Sequence, residues 1–412
     1  FRYDYLERFG DLFVETGLKR LLREGASWTD ANYDHVPTYT APGHATMLTG
    51  AYPAATGIVA NDWPDRDSIK KVSSVSDENA KLLGSDLTEE AASPRRLLAS
   101  TLGDELRLVT SDRAKVIGMS LKDRSAILPA GRHANGAYWF STKSGVFVSS
   151  DYYFKQLPDW VTEFNKQRPS DKFFQGKWDR LFPESDYLKR AGADSPPWED
   201  IGRVAGATTA FPHTITGGAS RPGPEFYQEL PYSPFGNDLL LSLAQRAIEA
   251  ERLGQDDDTD VLSVSFSAND HIGHRYGPYS QEVMDIALRF DRSVAALLDF
   301  VDARVGLRNT IVVFTADHGV APTPKHVAAL GLASNRTDQG EVLRRIRAAF
   351  STHYNPQKKS PDPTVDYLYQ YDDNGNPTDA ILNNNVYFNL DALLRDGVNL
   401  EEIERVAGEA AL

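Results

Sequence analysis

Cysteine is absent from this 412-residue sequence, which excludes disulfide bonds and thiolate chemistry. Any metal ion must therefore be held by oxygen and imidazole ligands. The lack of cysteine does not by itself identify the cellular compartment. Long apolar runs are also missing, because none approaches the ~18 residues of a membrane-spanning helix.

Positive charge is in deficit. The sequence has 44 Lys and Arg against 58 Asp and Glu, a net charge of −14, which argues against nucleic acid or an anionic membrane as partner. A small anionic substrate is not excluded, because its binding depends on local charge. Hydrophobic residues make up 41% of the sequence, enough for a sizeable core in one large domain with an insertion or in two domains.

Helical and strand-like patterns alternate along the chain. This alternation predicts an α/β fold with a mainly parallel central sheet flanked by helices. The clearest strands are 260–268 and 309–316, both apolar and β-branched. Between them, 280–305 has apolar residues at helical spacing, which predicts a strand–helix–strand unit.

Residues 126–234 differ from the rest, being aromatic, proline-rich and weakly periodic. We interpret them as a cap region inserted over the active site, because their tryptophans and tyrosines need burial. Residues 1–125 and 235–335 are then the two parts of the core, followed by a C-terminal segment, 336–412. The chain starts in one helical pattern without an initiator Met or signal sequence and stops inside another. We therefore expect a fragment that is truncated before the end of the core.

The stretch HVPTYTAPGHATMLTG, residues 35–50, predicts a helix that starts near Thr40 and ends at Gly50. Thr40 falls near the N-cap, where the positive end of the helix dipole favours an anion. Taken alone, Thr40 has the alternative role of an ordinary capping threonine.

Each of the two clear strands runs into an acid–histidine cluster. The first gives SANDHIGHRYGP, with Asp270, His271 and His274, and the second gives TADHGVAPTP, with Asp317 and His318. Because open α/β sheets bind ligands beyond the carboxyl ends of their strands, both clusters should face one crevice. Asp and neutral imidazole suit zinc, and less selectively manganese or iron. A single pair is weak evidence, but two on strand ends predict a two-metal site.

A cationic pair lies in GMSLKDRSAILPAG, where Lys122 and Arg124 are two residues apart. On an extended segment both side chains would point to the same side. They could clamp an anion, with Arg as a bidentate fork, or they could line a solvent-facing strand edge.

Taken together, these segments resemble the alkaline phosphatase superfamily, in the branch shared with nucleotide pyrophosphatase/phosphodiesterases. The resemblance is to the phosphate-irrepressible, PafA-like alkaline phosphatases of bacteria. The matching segments occur in the family's order and span nearly the whole sequence: RYDYLERFG, PTYTAPGHATMLTG, GIVANDW, SLKDRSAILPAG, FPH, DHIGHRYGP and TADHG.

The resemblance implies a phosphate monoesterase with two Zn²⁺ and a phosphothreonine intermediate on Thr40. By the same resemblance, Asn61 binds a phosphoryl oxygen, and Lys122 and Arg124 mark the monoesterase branch. The implied metal ligands are Asp270 and His274 for one zinc, and Asp317, His318 and Thr40 for the other. His44 and His271 have no ligand role in this resemblance, and we expect His44 to be a packing residue on its helix.

The resemblance implies further ligands outside the chain, an aspartate before Phe1 and a histidine after Leu412. It also implies small phosphate-ester substrates and a periplasmic or secreted location. Two alternatives stay open. One is a phosphodiesterase or nucleotide pyrophosphatase of the same fold, and the other is a non-catalytic homologue that binds metal or phosphate.

Overall fold

The structure is a computed structural model that describes residues 1–65, 71–199, 206–334, 338–369, 381–382 and 385–412. The chain divides into two compact units. The first unit comprises Phe1–Val59 and Val75–Leu330, and the second comprises Ala60–Ser74 and Gly331–Leu412.

The α-helices are, in chain order, α1 (Tyr5–Arg8), α2 (Leu18–Glu24), α3 (Thr40–Thr49), α4 (Pro53–Thr56), α5 (Leu102–Val109), α6 (Asp123–Ala130), α7 (Asp159–Lys166), α8 (Glu184–Ala191), α9 (Pro224–Glu229), α10 (Pro234–Ala250), α11 (Ala268–Tyr276), α12 (Gln281–Arg304), α13 (Pro324–Ala329), α14 (Gln339–Tyr354), α15 (Leu390–Asp396) and α16 (Leu400–Ala411). The strands are β1 (Asp62–Pro64), β2 (Lys71–Ser73), β3 (Leu82–Leu83), β4 (Val116–Ser120), β5 (Gly136–Ser141), β6 (Val146–Ser150), β7 (Gly176–Trp178), β8 (His213–Ile215), β9 (Val261–Ser265), β10 (Ile381–Leu382) and β11 (Asn385–Val386).

The first unit is built on a five-stranded sheet with the order β3-β6-β5-β4-β9. Its centre is parallel, because β4 pairs in parallel with both β5 and β9, whereas β6 pairs antiparallel with β5 and β3. Helices α5, α6 and α10 pack against β4. The predicted α/β class is confirmed, and the sheet is mixed because the β5–β6 connection is a short hairpin-like turn.

Two predicted elements of this unit are confirmed and one is wrong. Strand β9 and helix α12 form where the sequence predicted them. The predicted strand 309–316 pairs with no strand in the described part of the chain. Most of its side chains are exposed, with Ile311 at 92% and Val313 at 80%, although the Phe314 ring packs against Phe1 and Phe290. β-branched residues favour strands chiefly when they pack.

Strands β5 and β6 lie inside the range 126–234 and belong to the central sheet. We therefore propose that the inserted region begins after β6. From there, β7 and β8 form a separate two-stranded sheet. Trp178 and Tyr187 of this region are fully buried, which is the burial that its aromatic composition requires.

The second unit has its own apolar core, made by one face each of α14, α15 and α16. Helix α16 buries Ile403, Val406 and Ala407 at the spacing of an amphipathic helix. No helix within the described ranges combines the length and the apolar composition needed to cross a bilayer.

Candidate active site

Strands β4 and β9 end side by side, and this brings distant parts of the sequence together. Their register aligns Ser120 with Ser265 at the carboxyl ends. The chain continues from β4 to Lys122 and from β9 to Asp270, and the Lys122 ammonium forms a salt bridge with Asp270 Oδ2. Both side chains are largely buried, so this ion pair lies in a partly dry environment.

Helix α11 carries the first acid–histidine cluster. Asp270 and His274 are one turn apart, and Asp270 Oδ1 lies 3.4 Å from His274 Nε2. His271 lies on the neighbouring face, where its ring packs edge-on against Tyr232 at 4.8 Å between centroids. Burial lowers the pKa of His271 to about 3, which keeps this imidazole neutral.

The second cluster meets the first one. His318 Nε2 lies 3.4 Å from Asp317 Oδ2 and 3.6 Å from Asp270 Oδ1. The structure therefore brings both predicted clusters into one place, although of the two predicted strands only β9 forms in the described part of the chain.

Thr40 completes this group. It is the first residue of α3, directly after the N-cap residue Tyr39, so the helix starts where the sequence predicted. Its side chain is buried, and Thr40 Oγ1 lies 3.4 Å from His318 Nε2. Gly50 ends the helix in the left-handed conformation, as predicted.

The cationic pair is placed differently from its prediction. Lys122 has extended backbone angles, but Arg124 lies in the first turn of α6, so the two are not on one strand. The error arises because Asp123 starts a helix directly after β4, where the sequence shows no cap signal of the usual Ser or Thr type. Arg124 NH1 lies 3.6 Å from Asp123 Oδ1, and its Nε is buried without a hydrogen-bond partner among the described residues.

Asn61 belongs to the second unit, just before β1. Its backbone carbonyl accepts a hydrogen bond from Ser74 N at 2.8 Å. Its assignment to a phosphoryl oxygen stays a prediction.

Sequence reasoning missed the contacts of His44. It is only 4% exposed, and its Nδ1 lies 2.9 Å from the Thr40 carbonyl oxygen and 3.2 Å from Asp317 Oδ2. Its Nε2 lies 3.0 Å from Ser265 Oγ. The spacing of four residues from Thr40 on one helix face was the signal that could have suggested this proximity.

Both cluster carboxylates are ionised. Burial would raise the pKa of Asp270, but the positive charge of Lys122 above all outweighs it and lowers that pKa to about 2. Burial would likewise raise the pKa of Asp317, but the contacts with His44 and then with His318 outweigh it and hold that pKa far below the ordinary range. Ionised carboxylates are the form that binds metal ions.

The donor atoms fit zinc in chemistry and in spacing. In tetrahedral zinc sites with bonds of ~2.0–2.1 Å, ligand atoms are about 3.4 Å apart. The pairs Asp270–His274, Asp317–His318 and Thr40–His318 all show separations of 3.4 Å. In the described ranges, no set of three or more His, Asp or Glu side chains is arranged to hold one ion. Each predicted metal position accordingly has two such side chains among the described residues.

A cavity of about 550 Å³ lies elsewhere in the first unit, lined by the residue that follows β3 and by residues in and just before α7. Its lining residues are Gly84, Gln156, Leu157, Asp159, Thr162, Asn165 and Lys166. None of them belongs to the clusters described above, so the chemistry and this cavity are separate features.

Comparison with known proteins agrees with this architecture. Residues 1–401 match the model of the type I phosphodiesterase / nucleotide pyrophosphatase family. Alkaline phosphatase PhoV of Synechococcus elongatus is 40% identical over 346 residues, 84% of this chain and 61% of the relative. Alkaline phosphatase PafA of Elizabethkingia meningoseptica is 39% identical over 321 residues, 78% of this chain and 58% of the relative.

A crystal structure of wild-type alkaline phosphatase PafA superposes with a TM-score of 0.86 at 34% identity, covering 99% of this chain and 74% of that one. The chain thus spans about three fifths of the length of the curated relatives it matches. The resemblance predicted from the sequence is confirmed. The chain belongs to the type I phosphodiesterase / nucleotide pyrophosphatase family, and within that family it is similar to the PafA-like alkaline phosphatases.

Proposed function

We propose that the protein is a metal-dependent phosphate monoester hydrolase that works through a covalent phosphothreonine on Thr40. The observation that carries this proposal is the place of the Thr40 hydroxyl. It is buried at the positive end of α3, 3.4 Å from His318 Nε2, in the same cluster as two ionised aspartates and Lys122. These neighbours favour a role for Thr40 as a nucleophile over that of an ordinary capping threonine.

The residues that would hold two Zn²⁺ are Asp270 and His274 for one ion, and Asp317, His318 and Thr40 for the other. Bound zinc would favour the alkoxide of Thr40 and stabilise charge on the departing ester oxygen. The ligand spacing and the ionised state of both carboxylates support this assignment.

The proposed reaction is a double displacement, in which the phosphoryl group passes first to Thr40 and then to water. Thr40 Oγ1 forms a bond to phosphorus while the ester P–O bond breaks, and the leaving alcohol takes up a proton. Water then cleaves the phosphothreonine, releasing phosphate and restoring the hydroxyl. We assign Lys122, Arg124 and Asn61 to the nonbridging oxygens, whose negative charge is greater in a monoester than in a diester.

The names of the relatives support monoesters as substrates, since PhoV and PafA are both called alkaline phosphatases. The family description favours a second candidate, a phosphodiesterase or nucleotide pyrophosphatase of the same fold. We favour the monoesterase, because Lys122 and Arg124 would match the extra negative charge of a monoester dianion. By the same resemblance we propose a periplasmic or secreted location.

The test uses the intact protein. Zinc content per chain is measured beside kcat/KM for an aryl phosphate and for its methyl diester. Acid-quenched samples are analysed by mass spectrometry for phosphate on Thr40. We expect two zinc ions, faster monoester hydrolysis and phosphorylated Thr40. Faster diester hydrolysis would select the phosphodiesterase, and absence of hydrolysis of either ester would select the non-catalytic homologue.

A further inference from the structure

His44 makes polar contacts with three separate parts of the first unit. Nδ1 faces the Thr40 carbonyl oxygen at 2.9 Å and Asp317 Oδ2 at 3.2 Å. Nε2 faces Ser265 Oγ at 3.0 Å, at the end of β9. One side chain thus links the helix of the proposed nucleophile, the end of β9 and a proposed metal ligand.

The direction of these hydrogen bonds follows from the chemistry of the partners. Both neighbours of Nδ1 are acceptors, so Nδ1 is assigned the proton and donates. In the neutral ring Nε2 then accepts from the Ser265 hydroxyl. The Asp317 oxygen that receives the His44 contact is also the one 3.4 Å from His318 Nε2. The imidazole therefore fixes the carboxylate orientation that places this oxygen beside His318.

The residue before His44 controls the backbone of the same aspartate. A Cβ added to Gly43 would lie 2.1 Å from the Asp317 carbonyl oxygen, closer than any real contact allows. The absence of a side chain at Gly43 lets the Asp317 backbone rest directly on α3. Gly43 and His44 together thus determine where Asp317 lies and how its carboxylate points.

We infer that Gly43 and His44 form a seat for Asp317, and that His44 is a positioning residue for the metal ion held by Asp317 and His318. The inference rests on the proposed function, which assigns that ion. It gives His44 a role beyond helix packing. Carboxylates that bind metal are commonly held by such outer hydrogen bonds, whose loss weakens metal binding about 10–100-fold.

Two amide variants separate the two ends of the ring. The amide nitrogen of His44→Asn can occupy the place of Nδ1, which keeps the donor toward Asp317. The longer side chain of His44→Gln reaches the place of Nε2 and keeps only the contact with Ser265. Zn²⁺ affinity of each variant of the intact protein is measured by competition with a chromophoric chelator, and thermal stability is measured without zinc.

We expect His44→Gln to bind one of its two Zn²⁺ about 10–100-fold more weakly, with the other unchanged. His44→Asn should remain close to wild type, although its zinc-free stability falls as much as that of His44→Gln. Equal zinc affinities in the two variants, either both retained or both lost, would reduce His44 to a packing residue and overturn the inference.

The outcome for wild type keeps the two proposals distinguishable. If wild type binds two Zn²⁺ and both variants bind them equally well, the seat is wrong and the proposed function stands. If wild type binds no Zn²⁺, the proposed function fails first and the seat fails with it. Ser265→Ala serves as the matched control, since it removes only the Nε2 partner and should weaken zinc binding less than His44→Gln does.

Discussion

At the scale of single residues, the sequence allowed a prediction where a side chain's position depends only on the residues next to it in the chain. In the TYT triplet the structure leaves Thr38 exposed and buries Thr40 at the helix start, as the Pro and Gly positions suggested. The role of His44 could not be predicted in this way. Its partners, Ser265 and Asp317, are far away in sequence and meet it only through the fold.

The nucleophile gives the first prediction at this scale. Thr40→Ala should keep the fold and most metal binding, but it should lose several powers of ten in monoester turnover, because no other group can form the covalent intermediate. Thr40→Ser should retain appreciable activity through its hydroxyl. Turnover of an aryl phosphate is the measurement, with zinc content as the control. Turnover of Thr40→Ala near that of wild type would show that Thr40 is not the nucleophile.

Arg124 gives the second prediction. A close charge pair in a partly dry site contributes about 1–4 kcal/mol, or roughly one to three powers of ten in rate. The monoester dianion carries one more negative charge than the diester. Arg124→Ala should therefore lower kcat/KM for the monoester more than kcat/KM for the diester, and the ratio of the two should fall at least about tenfold.

This comparison relies on kcat/KM for an aryl phosphate and its methyl diester. Arg124 is the cleaner position, because Lys122→Ala would also leave the Asp270 carboxylate without its partner. Lys122→Ala combined with Arg124→Ala should enlarge the effect. Equal losses on both substrates would assign the pair to general phosphate binding and favour a phosphodiesterase.

At the scale of elements, periodicity predicted segments that bury an apolar face. Helix α12 is such a segment. Strand β9 also forms where it was predicted, but its residues are only half-buried. The pattern failed at 309–316, where most side chains are exposed, and at Lys122–Arg124, where a helix follows β4 within three residues. Composition and periodicity indicate whether a segment prefers helix or strand, whereas strand pairing and packing depend on neighbours from elsewhere in the chain.

Helix α11 illustrates an element held by a contact that no motif reveals. Arg275 stacks over the Tyr232 ring at 3.8 Å, and its two terminal nitrogens bind the two carboxylate oxygens of Glu229, one of them at 3.0 Å. Both charged side chains are at least nine-tenths buried. Asp270 and His274 face the site from the same helix, so this clamp holds the turn that carries them.

Breaking the clamp should be costly. Arg275→Met leaves the Glu229 carboxylate buried and unpaired, for which a loss of about 3–5 kcal/mol in unfolding free energy is expected. Arg275→Met combined with Glu229→Gln should recover part of that loss, because no uncompensated charge remains. Urea denaturation of the single and double variants measures both effects. A double variant as unstable as the sum of its single variants would mean that the two side chains act independently.

At the scale of the whole molecule, the sequence predicted the α/β class and the family, because seven segments match in order. It could not predict the division into two units, since Ala60–Ser74 joins Gly331–Leu412 across the intervening chain. Long-range groupings of this kind also bury acidic side chains. In the first unit both carboxylate oxygens of Glu199 are buried without a hydrogen-bond partner in the described part of the chain.

Glu199 links the stability of the fold to pH. Burial first, and then the charges of Glu282 and Asp194, raises its pKa from 4.5 to about 9. Glu282 is itself buried and hydrogen-bonds His213 Nε2 at 3.0 Å through Oε1, so its charge is only partly compensated. Glu199 is therefore protonated in the fold at neutral pH, whereas the same group is ionised in the unfolded chain.

The sign of the pH effect follows from proton binding. Between pH 4.5 and about 9 the folded chain holds a proton on Glu199 that the unfolded chain has released, so this group's contribution to stability falls as pH rises. Glu199→Gln mimics the protonated group and removes this dependence. Relative to wild type, the variant should become steadily more stable from pH 5 to pH 9. Urea midpoints of both proteins across that range give the measurement, and a difference that does not change with pH would show that Glu199 is ionised in the fold.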